Sequence, residues 1–145
     1  MAFKLETLLK IRKNKEDSIK KEFSEVQSHL ISQQKRLQFM DNVGNKAKIN
    51  WNGAMKGQID PNILEVYNHF FDGIESQKEK QRHIISEIVE KANAKKIVLT
   101  EAMQNRKTLE ILKERQLKEE KDARVKKETA MLDEIASLQW NRRRH

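Results

Sequence analysis

The residues of this chain that could do chemistry are its histidines, its carboxylates and one lysine–glycine pair. The four histidines are His29, His69, His83 and His145. None has the close spacing to other ligands that zinc sites show, and a fold that joined His29 to His83 would supply only two ligands. Such a pair is more often a polar contact than a metal site, so we expect no metal.

A phosphate-binding loop is also missing. Lys56-Gly57 lacks the lysine and hydroxyl residue that would have to follow the glycine. The carboxylates are spread along charged stretches typical of helix faces. We therefore predict no catalytic residues and no cofactor, and we expect that the protein is not an enzyme.

The composition of the 145-residue chain points to long helices. Hydrophobic residues make up 37%, charged residues 36% and aromatic residues 6%. This apolar content is too small for a three-dimensional core but sufficient for a seam between helices. There is no cysteine, which fits a reducing cytosol. We see neither a signal-peptide core nor about 18 consecutive uncharged residues for a membrane span, so a soluble cytosolic protein is expected.

The net charge of +8 raises the question of nucleic-acid binding. Basic and acidic residues alternate along most of the chain, however, as in the stretch KERQLKEEKDARVKKE. This alternation is typical of solvated coiled-coil faces, and no nucleic-acid partner is expected. A nucleic-acid-binding coiled coil that uses the arginines of the tail remains an alternative.

The helices must be separated by the stretch from Gly44 to Pro61, which contains three of the four glycines and the only proline. The glycines weaken a helix, whereas Asp60 and Pro61 are suited to the N-cap and the first position of a new one. The pattern predicts a single domain, residues 1–145, with helix one at about 3–50, a bend at about 44–61, helix two at about 61–140 and a basic tail at 141–145.

Apolar residues recur at alternating spacings of four and three on both sides of the bend, which is typical of a coiled coil. The predicted row on helix one is Leu5, Leu9, Arg12, Glu16, Ile19, Phe23, Val26, Leu30, Gln33, Leu37, Met40, Gly44, Ala47 and Trp51. The predicted row on helix two is Ile63, Tyr67, Phe70, Ile74, Gln77, Gln81, Ile84, Ile88, Lys91, Lys95, Val98, Ala102, Asn105, Leu109 and Leu112. The fold class is therefore all-α, a long antiparallel two-helix coiled coil or helical hairpin.

Folding the chain so that residue 50 lies opposite residue 61 predicts the register. The expected pairs are Phe23 with Ile88, Val26 with Ile84, Leu37 with Ile74, Gln33 with Gln77 and Glu16 with Lys95. Residues after about Glu110 have no partner in this arrangement. They form an overhanging C-terminal helix, which we expect to be loosely ordered until it is bound.

Five aromatic residues lie near the predicted bend: Phe39, Trp51, Tyr67, Phe70 and Phe71. The pattern places Tyr67 and Phe70 in the seam and Phe71 beside it. The cluster either fills a wide end of the hairpin or forms an exposed apolar patch, which usually marks a protein contact.

The chain resembles the flagellar FliJ family, the small coiled-coil component of the flagellar type III export apparatus. The resemblance covers nearly the whole chain and includes the break in the middle. The matching motifs are Phe3-Lys4-Leu5, Thr7-Leu8-Leu9, Arg12, Leu109-Glu110, Lys113-Glu114-Arg115-Gln116 and Leu132-Asp133-Glu134-Ile135-Ala136 before a basic end. The chain departs from the family at Ser137-Leu138-Gln139-Trp140, where the family often has an arginine.

The resemblance implies a coiled coil similar to the central stalk of rotary ATPases. Its terminal end would enter the pore of the hexameric export ATPase, and its bend half would contact the cytoplasmic domain of the export gate. It would couple ATP hydrolysis to export, handle export chaperones and serve flagellum biogenesis, motility and chemotaxis. The expected location is the cytoplasm, peripherally at the inner membrane. The equivalent stalk of a virulence secretion system and a chaperone that holds unfolded chains remain alternatives.

Carried onto this sequence, the resemblance implies two binding surfaces. The export-gate surface would consist of Met40, Val43, Ala47, Phe70, Phe71 and Ile74. The ATPase-ring surface would consist of Leu5, Arg12, Glu110, Arg115, Gln116, Asp133 and Glu134.

Overall fold

A computed structural model describes the backbone of residues 2–144 and the side chains of residues 4–144. It contains two α-helices, α1 from Ala2–Ala54 and α2 from Pro61–Arg144, and no strand within the described residues. The helices pack against each other as an antiparallel coiled coil, which confirms the predicted fold class. The ends of the predicted domain, Met1 and His145, lie outside the described residues, as does the side chain of Phe3 from the family motif.

The connection between the helices is short. Helix α1 continues through Gly44 and Gly53 and ends at Ala54, so the predicted bend narrows to residues 55–60. Each helical glycine costs up to about 1 kcal/mol relative to alanine, and burial of the adjacent seam offsets this cost. The backbone N–H of Asn62 donates to Oδ1 of Asp60 at 3.0 Å. Asp60 is thus the N-cap of α2, as the sequence predicts.

Residue contacts divide the chain into two units. The bend unit is Ser18–Thr100, and the terminal unit combines Met1–Asp17 with Glu101–His145. Segments of α1 and α2 run antiparallel to each other in both units. Whether the chain behaves as the single domain predicted above stays a prediction.

The row of seam residues predicted for α1 is confirmed. All fourteen positions, from Leu5 to Trp51, are buried or half-buried. Ile19 is among the most buried apolar residues. The uninterrupted four-three spacing on α1 therefore identifies its packed face correctly.

The row predicted for α2 is half wrong. Every second position, beginning with Tyr67 and Ile74, is buried or half-buried as predicted. The intervening positions are exposed, and the packed residue in each case is the next one along the chain. The packed row is Leu64, Tyr67, Phe71, Ile74, Lys78, Gln81, Ile85, Ile88, Ala92, Lys95, Leu99, Ala102, Arg106, Leu109, Lys113 and Gln116. The spacing after Tyr67 is thus four and then three, the reverse of the predicted order.

The register also differs from the prediction, by one helical turn or more. Gln33 meets Gln81 rather than Gln77. Ile88 lines a groove with Val26, and Ile74 lies beside Gly44. The reason is that α1 ends at Ala54 instead of about residue 50, which moves the fold point and shifts every partner along α2.

Ion pairs follow the same shift. In the bend unit, Nζ of Lys95 lies 2.6 Å from Oε2 of Glu22, and Nζ of Lys78 lies 2.9 Å from Oδ1 of Asp41. The predicted partner of Lys95 was Glu16, which instead accepts a hydrogen bond from Arg106 in the terminal unit.

The unpaired part of α2 begins later than the predicted boundary near Glu110. Lys113 forms an ion pair with Glu6, and Leu117 and Glu120 line a cavity with Leu5. Every side chain from Leu117 to Arg144 is exposed. The helix nevertheless continues to Arg144, so the tail predicted at residues 141–145 is helical through residue 144. Within residues 2–144, neither helix is long and apolar enough to cross a membrane.

Candidate protein-binding surfaces

The described residues contain no cluster of histidine, cysteine or carboxylate side chains that could hold a metal ion. His69 Nε2 lies 3.7 Å from Oε1 of Glu65, and His83 Nε2 lies 3.3 Å from Oε1 of Glu87. These histidines contact carboxylates one turn away on α2. His29 lines an open groove of the bend unit, and most of the residues that line it are charged.

The bend unit contains a second open groove of about 470 Å³ between α1 and α2. Its lining consists of Arg36, Phe39, Met40, Val43, His69, Phe70, Gly73, Ile74 and Gln77. Four of the six residues expected at an export-gate surface are therefore brought together here. We call this feature the bend groove.

The other two expected residues lie in the seam. Ala47 and Phe71 are half-buried and do not line the bend groove. The ring of Phe71 stacks on Tyr67, with ring centroids 6.2 Å apart. Phe70 is 39% exposed, so the predicted roles of Phe70 and Phe71 are exchanged. Phe71 packs in the seam, and Phe70 lies beside it, with the two rings in a T-shaped arrangement.

The expected export-gate surface omits five residues that line the bend groove: Arg36, Phe39, His69, Gly73 and Gln77. Phe39 is 67% exposed, and Gly73 is exposed in the interior of α2. The sequence contained a signal for both Phe39 and Gly73. Phe39 adjoins the seam residue Met40, and Gly73 is an isolated glycine within a helical pattern.

Beside the connection, Trp51 is half-buried, and its indole N–H is buried without a hydrogen-bond acceptor among the described residues. An unpaired buried donor costs on the order of 1–3 kcal/mol. Trp51 therefore fills the end of the seam, as the first interpretation of the aromatic cluster predicts. Phe39 and Phe70 are exposed, as the interpretation of the cluster as an apolar patch predicts.

A charged layer crosses the seam of the terminal unit. Glu16 is only 2% exposed and accepts a hydrogen bond from Nε of Arg106. Nη1 of Arg106 donates to Oε1 of Glu110 at 2.9 Å. Hydrogen bonds to Glu16 and then Glu110 raise the pKa of Arg106 above its ordinary value. Glu110, one of the residues expected at an ATPase surface, thus also holds this layer together.

The other expected ATPase-ring residues fall into two groups. Leu5 and Gln116 meet in the terminal unit, where they line a small cavity of about 40 Å³ beside the Lys113–Glu6 ion pair. Arg12 is half-buried in the seam. The exposed residues are Arg115, Asp133 and Glu134.

Asp133 and Glu134 lie within an exposed apolar segment of α2. Leu132 is 66% exposed and Ile135 is 49% exposed. Met131, Ile135 and Leu138 recur at spacings of four and three, so they share one face of the helix. The terminal unit therefore has an apolar stripe without a partner in the described chain.

The fold and these surfaces define an all-helical protein with exposed apolar surfaces. A family model described as Flagellar FliJ protein matches residues 1–145. The chain therefore belongs to the FliJ family, whose members are non-catalytic components of the flagellar export apparatus. No curated protein and no solved structure matches the chain.

Proposed function

We propose that the protein is a stalk that contacts both the hexameric export ATPase and the cytoplasmic domain of the export gate. It couples ATP hydrolysis to the export of flagellar proteins and passes on export chaperones. It acts in the cytoplasm, held peripherally at the inner membrane by these contacts, and has no catalytic activity of its own. Membership of the FliJ family supports a role in the flagellar export apparatus.

The observation that carries the gate contact is the exposed apolar bend groove. Met40, Val43 and Ile74 are half-buried along it, while Phe70 is more exposed. Interfaces commonly contain aromatic anchors of this kind, which cost about 2 kcal/mol or more on truncation. An exposed aromatic side chain contributes less to the fold than a buried one, so binding and folding can be separated at Phe70.

The contact with the ATPase is supported by the unpaired part of α2. Its side chains from Leu117 onward are exposed, including the apolar stripe of Met131, Ile135 and Leu138. An isolated helix with such a stripe gains stability when a partner covers it. Asp133 and Glu134 add charges that can fix the orientation of the partner.

The gate contact is tested by measuring binding of the purified cytoplasmic gate domain to the full chain. Phe70→Ala and Val43→Asp are expected to weaken binding at least about tenfold while the melting temperature changes little. Ile97→Ala is the matched control, because Ile97 is an exposed aliphatic residue outside the bend groove. If both variants unfold as they lose binding, these residues belong to the core and the groove is not a binding surface.

The ATPase contact is tested with a pair of charge reversals on the exposed segment of α2. Asp133→Lys with Glu134→Lys is expected to abolish stimulation of the purified ATPase. Asp122→Lys with Glu128→Lys makes the same change of charge at two exposed positions of the same helix and should leave stimulation intact. Equal losses in both pairs would indicate a nonspecific effect of charge and contradict the assignment.

A further inference from the structure

The bend groove contains a glycine that packing within the chain does not explain. Gly73 lies in the interior of α2, where glycine is less favourable than alanine. A Cβ atom built at Gly73 has no heavy atom within 4 Å. At Gly44, by contrast, a Cβ would lie 3.6 Å from Cγ2 of Ile74. Space for a side chain is therefore available at Gly73, and glycine instead leaves room for another backbone to approach.

The surroundings of Gly73 are suited to an apolar ligand. Phe39 and Phe70 line the same groove and are both exposed. Along α2, Ile63, Val66 and Phe70 continue the exposed apolar residues toward the connection, at spacings of three and four. The stretch from Ile63 to Gln77 spans about 21 Å of helix, or about four turns.

The charge of the groove restricts the ligand further. Arg36 is part of the lining and makes no ion pair with the described residues, and no carboxylate lines the groove. Helical spacing places Lys46 and Lys80 near the groove on the basic side, and Glu65 and Asp72 beside His69 on the acidic side. Oε1 of Glu65 already lies 3.7 Å from Nε2 of His69, so the basic side chains near the groove still outnumber the unpaired carboxylates. The nearby Asp41 is paired with Lys78 in the seam. An acidic partner is therefore favoured over a basic one.

We propose that the bend groove binds an acidic amphipathic α-helix whose backbone passes over Gly73. A helix is the fitting element, because it presents an apolar stripe at spacings of three and four, and residues 2–144 offer no strand edge for an extended peptide. The inference rests on the proposed function to the extent that the helix belongs to the export gate.

The steric part is tested with two leucine substitutions in the full chain. Gly73→Leu and Gly53→Leu both replace exposed helical glycines whose Cβ positions are free of neighbours. Both should maintain or raise the melting temperature. Affinity for the cytoplasmic gate domain should fall about tenfold or more for Gly73→Leu and remain unchanged for Gly53→Leu.

The chemical part uses two synthetic peptides with the same leucine stripe, one flanked by glutamates and the other by lysines. Fluorescence anisotropy should show that the glutamate peptide binds at least about tenfold more tightly. Arg36→Glu should reduce this preference, and Gly73→Leu should abolish binding of the glutamate peptide. Equal affinity of the two peptides, or binding that survives Gly73→Leu, would overturn the proposal.

The two sets of measurements separate this inference from the proposed function. If the gate domain and the glutamate peptide each bind the unaltered chain and Gly73→Leu equally well, the gate contact stands and the helix-binding groove is overturned. If the glutamate peptide binds as expected but the gate domain does not, the groove stands and the gate contact is overturned.

Discussion

Gln81 is almost completely buried, with 3% of its surface exposed, and it holds a polar layer across the seam of the bend unit. Its Nε2 donates to the backbone oxygen of Gln33 at 2.9 Å and to the Oε1 of Gln33 at 2.8 Å. A polar layer of this kind fixes the register of a coiled coil at some cost in stability. The sequence pattern predicted correctly that Gln33 would meet a glutamine, but it predicted Gln77 rather than Gln81 as that partner.

The two glutamines should differ in their contribution to stability. Gln81→Ala removes both hydrogen bonds and is expected to lower the free energy of unfolding by about 2 kcal/mol. Gln33→Ala keeps its backbone acceptor and should cost about 1 kcal/mol or less. Chemical denaturation of both variants measures the difference. Equal losses would show that the side-chain layer does not depend on the two bonds from Gln81.

Gly44 is a position where a substitution can stabilise the helix. It is buried in the seam, yet a Cβ would make ordinary contacts with Ile74 and Lys78 at 3.6 Å. Gly44→Ala should therefore raise the free energy of unfolding by about 0.5–1 kcal/mol. Gly57→Ala lies in the connection and is the control, for which helix propensity predicts no gain. A destabilised Gly44→Ala variant would contradict the described packing.

The ion pair between Glu22 and Lys95 should make the stability of the fold depend on pH in the acidic range. The hydrogen bond from Lys95, followed by its charge, lowers the pKa of Glu22. A lowered folded-state pKa contributes stability that is present above the unfolded value of about 4.3 and is lost as the pH falls through the folded value. Lys95→Met should therefore flatten the fall in melting temperature below about pH 5, whereas Lys96→Met should not. Unchanged acid sensitivity in Lys95→Met would contradict this role.

Helix α2 illustrates what the sequence could and could not establish at the scale of an element. Adjacent apolar pairs such as Phe70-Phe71 allow the seam to pass through either residue, so spacing alone did not choose between them. Ala92 beside Lys91 was the available signal, because alanine packs in a seam more readily than lysine. Helix α1 has few such pairs, and its entire packed row was predicted.

The position of the connection was harder to predict for a related reason. Three glycines weaken the helix between residues 44 and 57, but they do not say where it ends. The packed residues Ala47 and Trp51 extend α1 to Ala54, and tertiary packing overrides the low helix propensity. As a result, Ile74 lies beside Gly44 and not opposite Leu37, its predicted partner.

The exposed part of α2 should be the least protected part of the molecule. Every side chain from Leu117 to Arg144 is exposed, and most helical stability comes from packing against other elements. Hydrogen exchange should therefore be fast in residues 118–127 and slow in residues 19–37 of the free protein. Strong protection of residues 118–127 in a verified monomer would contradict this expectation.

At the scale of the whole molecule, the family and the surfaces lead to one account. The FliJ family places the chain in the flagellar export apparatus. The bend unit has an apolar groove, and the terminal unit has an exposed apolar stripe. The family could be recognised from ordered motifs in the sequence. The groove itself could not, because it depends on which of Phe70 and Phe71 packs in the seam and on the register that brings Phe39 near Gly73.

The central claim is that the chain binds two partners through two separate surfaces. Native mass spectrometry of the chain mixed with the export ATPase hexamer and the cytoplasmic gate domain tests it most directly. We expect a complex that contains all three proteins, from which Phe70→Ala removes only the gate domain and Asp133→Lys with Glu134→Lys removes only the ATPase. If the gate domain and the ATPase instead displace each other from the chain, they share one surface and the account is contradicted.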